Sequence, residues 1–270
     1  MRIKKLTLFT CIILLLVSCN KNPFTGNSTM AFVSNEELFA ASFAQYDQFL
    51  KENKVVEGTN DAKMIKRVGQ RIAMAAERWL NANGYENYLK DYQWEYHLVN
   101  DETVNAWCMP GGKIVFYTGI LPIAKTETGV AAIMGHEVVH ALANHGQQRM
   151  SAGMLQQMGA VAGNLAINDP ESRDMFNQAY GIGSQLGGIL PFSRKHESQA
   201  DEAGQILMAV AGYDPEEAAK LWERMKAAGG EAPPEFMSTH PSNETRINNL
   251  MANAQKAKDE AAKFGVTSFN

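Results

Sequence analysis

The sequence predicts a mainly α-helical domain with a small antiparallel β-sheet, an α+β arrangement, and three observations carry that prediction. Apolar residues recur at three- and four-residue spacing through most of the chain between Ser34 and Ala262. Strand-like alternation is confined to one aromatic-rich stretch, Tyr92 to Tyr117, which folds back at Pro110-Gly111-Gly112. Apolar residues make up 45 % and charged residues 20 % of the 270, enough for a sizeable core, and no repeat or long linker divides them. The same composition narrows function. Three cysteines exclude a disulfide scaffold. The 25 basic and 29 acidic side chains give a formal charge of −4 with no basic block, which argues against nucleic acid as a partner.

Taken in order, residues 1–18 read as a signal peptide. Arg2, Lys4 and Lys5 precede an apolar run from Leu6 to Val17 that is too short to span a bilayer comfortably. Leu16-Val17-Ser18-Cys19 resembles the lipobox of bacterial lipoproteins, in which cleavage leaves a lipid-bearing cysteine at the new amino terminus. Each buried methylene adds about 0.8 kcal/mol, so several acyl chains on Cys19 would hold a domain firmly to a membrane. Asn20 after the cysteine favours the outer membrane. Residues 19–33 read as the lipidated tether and residues 34–262 as one domain.

Ser34 with Glu36 and Glu37 starts a helix that runs to Lys51, and Asn60 or Asp61 caps a second that runs to Ala82. Strands are expected at Tyr92–Val99, Val104–Cys108 and Lys113–Tyr117, with Cys108 a free thiol. A short helix at Gly119–Ile123 leads to a longer one, Glu127–Asn144, ended by Gly146. Two loosely packed helices fill 147–195. Helices at His196–Val210, Pro215–Ala228 and Asn243–Ala262 follow, with an exposed loop from Gly229 to Pro241 and a tail over 263–270.

The sharpest chemical signal is His136-Glu137-Val138-Val139-His140. Helical residues four apart share a face, so both imidazoles reach one metal ion. Glu137 projects from an adjacent direction, where its carboxylate can take a proton from metal-activated water. Apolar neighbours on both sides, Val130 to Met134 and Ala141 to Ala143, place this helix in the core. A hydrolytic zinc site takes three protein ligands. Glu197 is the candidate for the third, with Asp201 four residues on able to accept a ring N–H from a ligand histidine. His196 is an alternative, and so is His145, although it falls about 140° round the helix from His140. Ala200, Ala203 and Gly204 let the second helix approach the first closely.

These residues carry a resemblance to the gluzincins of peptidase family M48, near the periplasmic lipoprotein and mitochondrial quality-control branches. The motifs are Gly135 to His140, Glu197-Ser198-Gln199-Ala200-Asp201, and Ser238-Thr239-His240-Pro241-Ser242 followed by Arg246-Ile247, with Asn105 to Gly112 upstream. The resemblance spans roughly residues 60–252. It implies one Zn2+ per chain on His136, His140 and Glu197, with Glu137 as general base and Asp201 behind the ligands. It brings in His240 as a group facing the metal, Arg246 as oxyanion support or structural pairing, and Asn105 and Ala106 as part of a substrate-aligning strand. The activity it implies is that of a zinc-dependent endopeptidase acting on unfolded or misassembled envelope proteins. The partners then are extended polypeptide, the membrane through lipidated Cys19, and the envelope assembly machinery. A cell-envelope amide hydrolase and a chaperone with latent peptidase activity are the competing readings.

Overall fold

The computed structural model describes residues 19–229, 235–240 and 244–270. The signal peptide, residues 230–234 of the Gly229–Pro241 loop, and residues 241–243, with Pro241, Ser242 and the expected helix start Asn243, lie outside the described residues. The elements are β1 (Cys19–Lys21), β2 (Ser28–Met30), α1 (Asn35–Glu52), β3 (Val55–Val56), α2 (Asn60–Ala82), β4 (Glu95–Val99), β5 (Ala106–Met109) and β6 (Lys113–Tyr117). A turn of 3-10 helix precedes α3 (Leu121–Ala124). Then come α4 (Glu127–Leu142), α5 (His145–Ala166), α6 (Pro170–Ser184), α7 (Leu190–Val210), α8 (Glu217–Ala228), α9 (Glu235–Thr239) and α10 (Glu244–Ala262). The fold is mainly helical with a small sheet, as the sequence predicts. By compactness the described chain forms two units, residues 39–143 with 196–270, and residues 19–38 with 144–195.

The larger unit is built around α4. Residues Gly129 to Leu142 are all buried, because α2, β5 and α8 surround the helix. Thr126 caps it by accepting from the Gly129 N–H. Helix α2 buries Ile65, Val68, Ile72, Ala76 and Trp79 at helical spacing. Its cap is Thr59, whose hydroxyl accepts from Ala62 N–H, rather than Asn60 or Asp61. The sheet order is β3-β4-β6-β5. The β5–β6 pair around the Gly111-Gly112 turn is antiparallel, with Ala106 opposite Phe116. Gly111 and Gly112 both take positive φ there, at 84° and 92°. Strand β4 joins β6 in parallel, so the sheet is mixed, with β3 and β5 at its two edges. Residues 263–270 pack back on the unit: Phe264, Val266 and Phe269 lie on the Ala209–Ala257 cluster, and Asn270 exchanges backbone hydrogen bonds with Gly212 and Asp214.

Three further boundaries differ from expectation. Helix α4 stops at Leu142 because Asn144 takes a left-handed φ of 55°, which asparagine tolerates; Gly146 lies inside α5. The helix carrying Glu197 begins at Leu190, not His196, and a π-turn over Gln185–Ile189 joins it without a break to α6. The stretch before His240 is not an open loop, since α9 forms there and buries Phe236.

In the smaller unit, residues 19–33 are structured. Strands β1 and β2 pair antiparallel, Cys19 opposite Met30. Phe32 N–H donates to Ser151 Oγ, and Gln147 donates to the Val33 carbonyl. Helices α5 and α6 form a hairpin in which Tyr180 donates to the Gln156 carbonyl and Asn164 and Asn177 bond each other.

Candidate metal centre

Two helices cross at glycine to build the centre. A β-carbon added at Gly135 on α4 would lie 2.8 Å from the Gly204 carbonyl oxygen on α7. One added at Gly204 would lie 2.9 Å from the His136 nitrogen. Backbones in such contact bring the α7 carboxylates onto the face of α4 that carries the histidines.

Four donors meet there: His136, His140, Glu197 and His240 each offer an atom within 4.8 Å of the others. His136 Nε2 is 3.1 Å from His140 Nε2, 3.4 Å from Glu197 Oε2 and 3.1 Å from His240 Nδ1. His140 Nε2 is 3.3 Å from Glu197 Oε1, and His240 Nδ1 is 2.8 Å from Glu197 Oε2. Donors about 2.0–2.1 Å from a tetrahedral ion sit about 3.3 Å from one another, so this set fits zinc in both size and ligand type. His145 and His196 do not belong to the set.

The surroundings fix each ligand. His136 presents Nδ1 to Asp201 Oδ1 at 3.0 Å, which directs Nε2 toward the other donors. Asp201 in turn takes two hydrogen bonds from Arg246, Nε to Oδ2 at 2.7 Å and Nη2 to Oδ1 at 2.6 Å. The Arg246 guanidinium lies 3.6 Å over the Trp222 ring. Phe236 stacks on both Trp222 and His240, with ring centroids 5.7 and 4.6 Å apart. Burial works against charge on His136, but Asp201 and Glu197 outweigh it and raise its pKa to about 9. Burial likewise resists charge on Glu197, yet hydrogen bonds from His136 and His240 hold its carboxyl far below the usual range. Glu137 is buried, with Oε1 3.5 Å from His240 Nε2.

Asn105 and Ala106 sit at the start of the edge strand. The Tyr117 N–H donates to the Asn105 carbonyl, so by alternation Ala106 and Cys108 turn their backbone groups to the open edge. The Asn105 side chain accepts from Ala106 N–H, and Phe236 N–H donates to the Val104 carbonyl, tying α9 to this edge. Burial, and then Glu137, push the Cys108 thiol well up, which disfavours its thiolate. Sequence reasoning missed Trp222 and Phe236. Trp222 was legible only as one of several apolar residues on α8, and nothing in spacing pairs it with an arginine 24 positions on.

No helix among the described residues is long and apolar enough to cross a membrane. The chain is 38 % identical to the mitochondrial metalloendopeptidase OMA1 of Schizosaccharomyces pombe over 164 residues, 60 % of this chain and 47 % of that protein. It is 31 % identical to the Arabidopsis thaliana protein of the same name over 239 residues, 83 % of this chain and 47 % of that one. It is 25 % identical to the beta-barrel assembly-enhancing protease of Escherichia coli over 158 residues, 56 % of this chain and 32 % of that protein. The chain thus spans about half or less of the length of these curated relatives. The model of peptidase family M48 matches residues 61–254, a span that holds every donor of the cage and both glycines of the crossing. On that match the chain belongs to peptidase family M48.

Proposed function

We propose that this chain is a zinc-dependent endopeptidase that hydrolyses peptide bonds in unfolded or misassembled envelope proteins. The observation that supports it is the convergence of His136, His140, Glu197 and His240 beside the buried carboxylate of Glu137. A purely structural zinc site has no use for such a base. Zinc held by His136, His140 and Glu197 would supply Lewis acidity to water and to the scissile carbonyl. Glu137 takes the proton of the attacking water and returns it to the leaving nitrogen. His240, next to Glu137, is placed to donate to the oxyanion as charge develops. Asp201 and Arg246 hold the His136 ring, and the bidentate pair favours structural pairing over oxyanion support for Arg246. An extended substrate adds to the β5 edge through main-chain hydrogen bonds at the Ala106 carbonyl and at Cys108, which demand little of its sequence.

The lipobox at Leu16–Cys19 supports anchorage of the chain to a bacterial membrane through lipid on Cys19, with Asn20 favouring the outer membrane. A relative named for enhancing β-barrel assembly supports an envelope setting and the assembly machinery as a candidate partner.

Glu137→Gln tests the mechanism. Bound zinc stays at one per chain by elemental analysis, while cleavage of an unfolded protein falls by about 10²–10⁴-fold. Undiminished cleavage removes Glu137 from the reaction. Chelator-sensitive release of fragments from cell-wall material, with none from protein, would assign the amide-hydrolase activity instead.

A further inference from the structure

Among the described residues, 11 large hydrophobic side chains are exposed, and all but Met74 and Met251 belong to the smaller unit. Five of them line α5: Met150, Met154, Met158, Val161 and Leu165, the last 81 % exposed. At 100° per residue they fall within an arc of about 80°. On α6, which buries no residue, Met175 and Ile182 form a separate exposed stripe, on the side turned away from the Phe176, Asn177 and Tyr180 face that meets α5. The opposite face of α5 is already committed to the hairpin, since β-carbons at Gly159 and Gly163 would lie 2.1 Å from the Tyr180 hydroxyl and the Phe176 ring.

The chemistry of this face selects its occupant. Both arms are free of charge, from Met150 to Asn168 and from Met175 to Ser193. Charge gathers at the tip, where Asp169, Glu171 and Asp174 outnumber Arg173. A helix that lies on a bilayer carries lysine, arginine and tryptophan along its flanks; here basic residues stand only at the base, Arg149, Arg194 and Lys195, and at the tip, Arg173, with none along the stripe, while an acidic tip repels anionic headgroups. Methionine makes up three of the five side chains of the α5 stripe. Its flexible, polarisable thioether re-packs against apolar groups of many shapes, as a surface for varied polypeptide requires. Gln157, exposed on α5 beside the stripe, can hydrogen-bond a peptide backbone. The hairpin is also inserted between the two halves of the donor set. It leaves α4 just after His140 and returns through the π-turn into the helix of Glu197. The hairpin itself is therefore continuous in the chain with both helices that supply the donors.

We propose that the methionine face of α5 is a docking surface for apolar segments of unfolded polypeptide, a holding site made of residues other than those that cut. This rests on the peptidase reading for its substrate class. The whole chain carrying Glu137→Gln is titrated with reduced, carboxymethylated α-lactalbumin, which reports holding without turnover. Met154→Gln with Met158→Gln and Leu165→Gln weakens binding at least ten-fold, whereas leucine at both methionine positions keeps it within two-fold. Met74→Gln with Met251→Gln also leaves it within two-fold. With Glu137 intact, the triple glutamine variant raises KM for the unfolded protein and leaves kcat/KM for a ten-residue peptide within two-fold. Unchanged binding in the triple variant, or equal loss in the Met74 and Met251 pair, overturns the proposal. So does intact lactalbumin binding alongside loss of flotation with phosphatidylethanolamine–phosphatidylglycerol vesicles, or alongside loss of self-association, since the face would then belong to a bilayer or to a second copy. If the unsubstituted chain cleaves neither peptide nor lactalbumin, the peptidase reading fails separately, and the titration still decides the docking surface.

Discussion

Asp201 does two jobs at once: it accepts from the His136 ring and carries the charge that pairs with buried Arg246. An amide can do the first and not the second. Asp201→Asn is expected to cost on the order of 3 kcal/mol of stability, because it leaves the buried guanidinium with only Glu197, 3.4 Å away, as counter-charge. It should also weaken zinc roughly 10–100-fold in chelator competition, because a neutral amide no longer raises the basicity of the ring. Zinc affinity equal to that of the unsubstituted chain would show that the carboxylate does not tune the ring. At this scale the spacing of His136 and His140 and the i+4 relation of Glu197 to Asp201 made most of the cage legible, because both follow from helix geometry alone. His240 was not legible that way. Its place depends on α9 docking through Phe236 to Val104, a contact between segments more than 100 residues apart.

The crossing of α4 and α7 makes two glycines obligatory and others dispensable. Gly204→Ala forces a methyl against the His136 backbone, so we expect a loss of about 1–3 kcal/mol in urea unfolding together with lower zinc occupancy. Gly183→Ala, in a helix with nothing within 4 Å, should instead stabilise the chain by about 0.5–1 kcal/mol. Equal effects would mean that the crossing has room to spare. At the start of α4, Arg67 and then Tyr213 hold the Glu127 carboxyl below its ordinary value of 4.5, against the effect of burial. A lowered folded pKa gives stability that is present above the unfolded value and lost as pH falls through the folded one. Glu127→Gln should therefore lower Tm at pH 7, and the gap should close as the pH falls through 4 and below. A gap that does not change with pH would place the effect in packing rather than charge. Helix existence was legible from periodicity, whereas ends were not. Asn144 ends α4 through a backbone conformation that its side chain merely tolerates, and the parallel β4–β6 pairing depends on a crossover that alternation does not encode.

Across the whole molecule, the two compact units are stabilised unequally. Helix α4 buries 14 consecutive residues, whereas α6 buries none and α5 buries only His145, Gln147, Gln148 and Ser151 in its first turns. Opening the hairpin exposes little that is not already wet. Native-state hydrogen exchange should give α5 and α6 opening free energies well below those of α2 and α4, and equal protection would contradict that ranking. The division was not legible from composition, since the hairpin has as many apolar residues as a core helix and differs only in where they point. The order of the donors along the chain has a consequence for synthesis. A ribosome releases His136 and His140 early, Glu197 only after the entire hairpin, and His240 later still. A truncated product ending within the hairpin bears two imidazoles and no carboxylate to complete them, so retention of zinc through a desalting column marks a chain translated past Glu197 and folded.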